Sequence, residues 1–412
     1  MIKIRRALTI VLASYMAVSL IACSKSDEVP TLPQDPIPDS TYSTEAEEVI
    51  VHGGNEESKI VQIQMTDENI LVDSIEASTE FDDVFITKDA TNSFQIVNIT
   101  KAGDYEISGH LSNGQIAIDL GEAAQNDEKA TVNIYLNNVT LTNNTTSCIV
   151  FKNVYHNKET ENMGANLYIA SGSVNNISLI CEDNLSEYAI YSYGALTIDS
   201  YFGKSGVLNI DSKSKGVGAY NTLNINGSNI NITSTQKCIG TEAESLATLT
   251  INGGSINVKT KNTGSVSHSI DSTGWIVING GKVLAQSQSG FGLNANEKIR
   301  INGGTIQATG ATFDAEIESY PLYAVFEFEE LCEAGTYILK TNEGITVLPC
   351  MTEVDFSYLL ITGDKIQTGE YILSGSFGTE YLANAKGFDE EDFAPSFIVN
   401  EDNNHFVMQI AS

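Results

Sequence analysis

A phrase that recurs four times between Leu223 and Gly310 restricts this chain more than any other feature. Leu223-Asn-Ile-Asn-Gly-Ser-Asn-Ile-Asn-Ile232 returns as Leu249-Thr-Ile-Asn-Gly-Gly-Ser-Ile-Asn-Val258, as Ile276-Val-Ile-Asn-Gly-Gly-Lys-Val283 and as Ile299-Arg-Ile-Asn-Gly-Gly-Thr-Ile306. The asparagines Asn226, Asn252, Asn279 and Asn302 stand 26, 27 and 23 residues apart, a repeat with small insertions. Each phrase holds two strand fragments whose apolar residues fall at every second position, so they share one face.

Taken alone, Asn-Gly between alternating runs signals a hairpin, because both residues accept positive φ. Here the fragments are very short and return at a nearly constant period, which favours corners of a coil. In a parallel β-helix each strand pairs with its equivalent one turn on, and the apolar positions point into a common cylinder. The expected inward column is Leu223, Ile225, Ile230 and Ile232, then Leu249, Ile251, Ile256 and Val258, then Ile276, Ile278 and Val283, then Ile299, Ile301 and Ile306.

Proline placement extends this reading. The prolines lie at positions 30, 33, 36, 38, 321, 349 and 395, so nothing between Asp39 and Tyr320 interrupts a backbone ladder. That proline-free stretch outlines the body. A solenoid of this length can be one continuous unit.

The N-terminus reads as an export signal. Lys3, Arg5 and Arg6 precede an apolar run from Ala7 to Ala22, too short for a comfortable membrane span. Leu20-Ile21-Ala22-Cys23 resembles the bacterial lipoprotein signal, which implies that Cys23 is lipidated and becomes the mature N-terminus. Ser24 to Glu28 resembles an acidic sorting tract for the outer face of the outer membrane, and equally a plain linker. The expected organisation is a signal at 1–22, an acidic, proline-rich tether at 23–58, a β-helix body at 59–319 and a C-terminal β cap at 320–412. Without Lys3, Arg5 and Arg6 the formal charge falls from −31 to −34. Such a surface repels nucleic acid, anionic membrane and polyuronates, leaving neutral partners or cations, and it also serves solubility.

Lys101-Ala-Gly-Asp-Tyr-Glu-Ile-Ser-Gly109, Gly114 to Asp119, Val132-Asn-Ile-Tyr-Leu-Asn-Asn-Val-Thr-Leu141, Ala189 to Ile198 and the Asn-Gly-Gly phrases occur in one order. In that order they resemble the bacterial carbohydrate-binding domain-containing family over roughly residues 60 to 310. The resemblance implies a right-handed parallel β-helix similar to polysaccharide lyases, with polysaccharide binding and calcium sites. Beyond Gly310 short aromatic strands at irregular spacing, from Tyr323 to Ile410, point to an antiparallel sheet or small sandwich covering the open end.

The family's Asp-Gly-Ile corners are replaced in this chain by Lys215-Gly-Val, Lys237-Cys-Ile, His268-Ser-Ile and Phe291-Gly-Leu. Calcium needs six to eight oxygens, so the aspartate column is gone, and Asp271, Glu242, Glu244 and Glu297 are the acids left to make one weak site or simply to be solvated. Calcium is therefore possible and not required. Lys215 and Lys237 on adjacent turns are the candidate base of a lyase-like reaction, since closeness of two amines lowers their pKa.

Sugar binding rests on aromatic faces laid against the pyranose ring. Tyr188, Tyr191, Tyr193 and Tyr220, with Trp275 further on, are the candidate binding residues, the alternative being core or cap aromatics. Tyr201 belongs to the same run of tyrosines. Five cysteines beside Cys23 leave at least one free thiol, and Cys332 and Cys350 flank a predicted hairpin as the pair open to bridging. The reading favoured by the residues is an exported, lipid-anchored all-β protein that binds a neutral polysaccharide without catalysis. Its alternatives are an adhesive spacer without a glycan site and a lyase-like enzyme. An exposed row of tyrosines separates the first from the second, and a cleft holding Lys215 or Lys237 beside carboxylates marks the third.

Overall fold

The computed structural model describes residues 59–89, 93–156, 164–181, 186–201, 206–243, 247–262, 264–386 and 393–411. The export signal, Cys23, the tether and Glu244 lie outside them. The described residues are all-β, with strands, two short 3-10 turns and no α-helix.

The two fragments of each repeated phrase do not pair with one another. They pair in parallel with their counterparts in the neighbouring phrase: Leu223 and Ile225 stand opposite Leu249 and Ile251, while Ile230 and Ile232 stand opposite Ile256 and Val258. One ladder thus runs through Ala165–Ala170, Leu196–Tyr201, Thr222–Ile225, Thr248–Ile251, Trp275–Ile278, Ile299–Ile301 and Ile317–Ser319. A second runs through Val174–Leu179, Val207–Ser212, Asn229–Ser234, Ser255–Thr260, Lys282–Ser287 and Thr305–Gly310. The long strand Val132–Asn143 joins the start of both. A third, separate sheet stacks Gln95–Ile99, Gly114–Ile118, Ile149–Phe151, Tyr188–Ser192, Lys215–Ala219, Ile239–Thr241, Ile270–Ser272 and Leu293–Ala295, again in parallel.

The inward column is as the alternation requires. Ile225, Ile251, Ile278 and Ile301 are each 0% exposed, and all fourteen repeat aliphatics belong to one core that all three ladders share. At about 1.5–3 kcal/mol for each fully buried aliphatic side chain, this column dominates the stability of the segment.

At the corners, the Asn302 amide donates to Asn279 (2.6 Å), Asn279 to Asn252 (2.7 Å) and Asn252 to Asn226 (2.8 Å). A side-chain ladder of this kind satisfies amides that the bend would otherwise leave to solvent. The positive φ falls one residue later than the Asn-Gly reading implies: Gly254, at 88°, and its counterpart Ser228, at 77°, carry it. A Cβ at Gly254 would sit 2.4 Å from the Ser228 carbonyl oxygen, so the second glycine of the phrase also permits the close stacking of corners.

Antiparallel partners flank two of the ladders. Val84–Lys88 pairs against Gln95–Ile99 at the start of the third sheet, and Phe356–Thr362 pairs against Thr305–Gly310 at the end of the second ladder. From that second partner, Tyr358 enters the shared core and its hydroxyl accepts the Gly292 N–H at 2.6 Å.

Beyond Tyr320 the strands Phe356–Thr362, Tyr323–Cys332, His405–Ile410 and Tyr381–Ala385 continue the second ladder. Gly335–Thr341, Thr346–Thr352, Gly369–Ser374 and Phe397–Val399 form a separate antiparallel sheet, with Pro349 on an edge strand as its missing N–H requires. Residues of both sheets, including Phe326, Phe356, Tyr337, Tyr381 and Phe406, share a second aromatic core. Tyr381–Ala385 is a strand that the sequence pattern does not reveal. Cys332 and Cys350 do not bridge: all five described cysteines are free and buried, and Cys332 instead lies 3.6 Å from the Tyr381 hydroxyl.

Candidate functional site

The third sheet positions the tyrosines. In its register Phe151, Ser192, Ala219 and Thr241 stand on consecutive rungs, so the residues that follow them, Lys152, Tyr193, Tyr220 and Glu242, make a column across the strands. Backbone bonds continue the rungs into this column, from Tyr193 N–H to the Phe151 carbonyl and from Tyr220 N–H to the Ser192 carbonyl, both 2.9 Å. Tyr193 is 61% exposed and Tyr220 43%. Rungs of a sheet lie ~4.8 Å apart, which is close enough for the two rings to serve one ligand.

Both rings open into a pocket of about 650 Å³ whose lining also includes Gln125, Lys152, His156 and Asn221. Gln125 belongs to the 3-10 turn Glu122–Asn126, which forms one wall, and its amide donates to Asn153 at 2.7 Å. The Asn221 amide lies 3.4 Å from the His156 ring. Aromatic faces beside amides, an imidazole and one ammonium can take the apolar face and the hydroxyls of a sugar ring. Nothing in the sequence pattern points to the wall of Gln125 and His156, because both reach the tyrosines only through the fold.

Tyr188 and Tyr191 have a different environment. Tyr188 is 3% exposed and stacks on Tyr191 with centroids 5.2 Å apart and 14° between planes, so it has no face free for a ligand. Tyr191 is half-buried and meets the Tyr193 ring edge-on at 5.1 Å. Trp275 is not brought to these tyrosines: it lies on the first ladder opposite Thr248, with the Arg300 guanidinium 5.2 Å from its ring. Tyr201 also lies on that ladder, packed with Tyr135 (4.5 Å) and Tyr168 (6.2 Å) in a second aromatic group that the sequence reading misses.

Tyr188 heads the corner column that continues through Lys215, Lys237, His268 and Phe291 by ladder register. Its hydroxyl bonds to Glu242 Oε1, and Lys215 Nζ lies 4.8 Å from its ring centroid. Glu242 also accepts from Lys215 (3.2 Å) and Lys237 (3.3 Å), and Lys237 reaches Asp271 at 2.6 Å. Asp271 takes a further bond from the Asn294 amide, 2.6 Å. At the far end of the column, the His268 ring stacks on Phe291 at 4.9 Å and its Nδ1 accepts the Phe291 N–H at 3.0 Å, leaving any proton on Nε2.

Electrostatics follow from these contacts. Burial pulls the Lys237 pKa down, but Asp271 and Glu242 outweigh it and hold the ammonium above its ordinary value. Burial pushes Glu242 up, and Lys237, the Tyr188 hydroxyl and Lys215 more than reverse this. The expectation of a depressed amine therefore fails at Lys237, because Glu242 and Asp271 both lie against it. A lysine held charged in this way is a poor proton acceptor. Lys215 and Lys237 do stand beside carboxylates, but as ion pairs rather than as a poised base.

The same contacts bear on calcium. Glu242 and Asp271 already hold ammonium groups, and Glu297 is exposed. Among the described residues no group of acids, histidines and cysteines is arranged to hold a metal ion. Of the candidate acids, Glu242 and Asp271 are thus engaged by Lys215 and Lys237 rather than free to meet a cation.

A family model described as carbohydrate-binding domain-containing protein matches residues 93–343, more than half of the chain. No curated protein matches it. Among solved structures, the polysaccharide lyase-like protein from C. thermocellum, as a gadolinium derivative, is similar at 21% identity. That similarity covers 63% of this chain and 95% of that one at a TM-score of 0.44, too loose to bear on activity.

Proposed function

We propose, because this chain belongs to the carbohydrate-binding domain-containing family, that it binds a neutral polysaccharide noncovalently in the pocket flanked by Tyr193 and Tyr220. The observation that carries the reading is the pair of exposed rings on adjacent rungs, opening into one pocket beside Asn221, His156 and Gln125. A repetitive glycan crossing the strands would stack on one ring and then the other. With a formal charge of −31 over the whole chain, an uncharged ligand meets no long-range repulsion, whereas a polyuronate does.

On this reading the three parallel ladders are faces of a right-handed β-helix over 59–319, capped by 320–412. An export signal, lipidated Cys23 and the tether would hang the protein from the outer membrane, the lipid being its one membrane attachment. Binding needs no cofactor. The ion-paired state of Lys215 and Lys237 supports a binding protein over a lyase-like enzyme, and the exposed tyrosine pair supports it over a spacer.

A glycan array of neutral and acidic polysaccharides tests the reading. The parent should retain neutral chains, and the double variant Tyr193→Ala, Tyr220→Ala should bind them tenfold or more weakly. That corresponds to on the order of 1 kcal/mol for each lost aromatic contact. Equal binding by parent and variant, or no binding by the parent, would return the spacer reading.

A further inference from the structure

We propose that Tyr188 and Glu242 are positioning residues for the glycan site, fixing the exposed Tyr193 ring through Tyr191; this rests on the glycan-binding reading above. The contacts form an unbroken series. Glu242 holds the Tyr188 hydroxyl, Tyr188 stacks on Tyr191 at 5.2 Å, and Tyr191 supports Tyr193 edge-on at 5.1 Å. Only the last ring lines the pocket.

The surface beneath explains why an anchor is needed. Tyr188 lies over Gly218, where a Cβ would come within 2.6 Å of its ring. At Gly240 a Cβ would meet Lys237 Cδ at 2.5 Å and the Tyr188 oxygen at 3.0 Å. Bare glycines admit the ring flat against the sheet but provide no side chain to stop it sliding. Its place along the sheet is therefore set by polar contacts at its rim, the Glu242 hydrogen bond and the Lys215 ammonium over its face. Glu242 is in turn fixed by two lysines, and Lys237 by Asp271. A buried ion network adds little stability over an apolar cover of the same shape. What it does supply is a fixed coordinate for the hydroxyl it binds, and a binding face gains affinity when its rings are held before the ligand arrives.

The experiment uses the whole protein and two readouts. Aromatic ¹³C resonances of Tyr193, recorded without ligand, report whether that ring is held. Affinity for the neutral glycan retained on the array reports the consequence. Tyr188→Phe removes the anchoring bond and keeps the stack, so Tyr193 should shift and broaden and affinity should fall about threefold to tenfold, with thermal unfolding little changed. Glu242→Gln keeps an acceptor and should disturb Tyr193 less than Glu242→Ala does. In a Tyr193→Ala background, Tyr188→Phe should cost no further affinity, because the ring it positions is gone. Unchanged Tyr193 resonances in both Tyr188→Phe and Glu242→Ala, or an undiminished loss in the Tyr193→Ala background, would overturn the proposal. A parent that binds no glycan overturns the site reading instead, and the ligand-free resonances still decide whether Tyr188 and Glu242 fix that ring.

Discussion

Replacing Lys237 by Met tests the electrostatic account of the corner column. The side chains of Lys237 and Asp271 are each 15% exposed and Glu242 is 30% exposed, so the ammonium sits between two largely buried carboxylates. Removing one partner of a buried pair costs about 3–5 kcal/mol when the other is left with nothing. Glu242 keeps Lys215 and Tyr188 and is partly solvated, so its share is small. Asp271 keeps the Asn294 amide and bears most of the loss, giving about 2–3 kcal/mol at neutral pH. The pH dependence has a definite sign. A carboxylate held below its ordinary pKa, as Glu242 is, contributes stability above the usual carboxylate range and loses it as pH falls through the folded value. A lysine held above its ordinary pKa, as Lys237 is, contributes below the usual lysine value and loses it as pH rises through the folded one. The gap between parent and Lys237→Met should therefore be widest near neutrality and narrow in acid. Urea denaturation at pH 7.5 and at pH 4 measures both. A variant as stable as the parent at pH 7.5, or one weakened equally at the two pH values, would refute the reasoning.

Further outcomes follow from the same architecture. Ile251→Asp places a carboxylate at a 0%-exposed position in the repeat core and should cost several kcal/mol or abolish folding, so an unaltered melting curve would show that the column is misread. Because Lys215 and Lys237 neutralise the acids at the corners, EDTA should lower the melting temperature little; a fall of about ten degrees or more, beyond what a few kcal/mol would produce in a body this large, would reveal a calcium site elsewhere. Cys23→Ser should release the protein from the membrane fraction, and retention there would contradict anchoring through the N-terminal lipid.

The chain shows its repeat openly because alternation is a local property. Ile225, Ile251, Ile278 and Ile301 announce their shared face through spacing alone, and the absence of proline between Asp39 and Tyr320 marks where ladders can run. The loss of the aspartate column is equally readable, as Lys215, Lys237, His268 and Phe291 stand at the corresponding corners. Which tyrosine faces solvent is not readable in this way. Tyr188, Tyr191 and Tyr193 lie within six residues, yet one is buried, one half-buried and one exposed, because Gly218 and Gly240 on later rungs leave room for the first ring to lie down. Trp275 looks like a fifth member of the cluster in the sequence and is carried to another ladder by the fold. Gln125 and His156 join Tyr220 across a separation that no local pattern encodes. Burial period and backbone permissiveness are set residue by residue, so the sequence by itself determined the strands of the repeat and their inward face. The pocket, the ion network and the choice among tyrosines depend on which rungs become neighbours, and only the tertiary structure decided those.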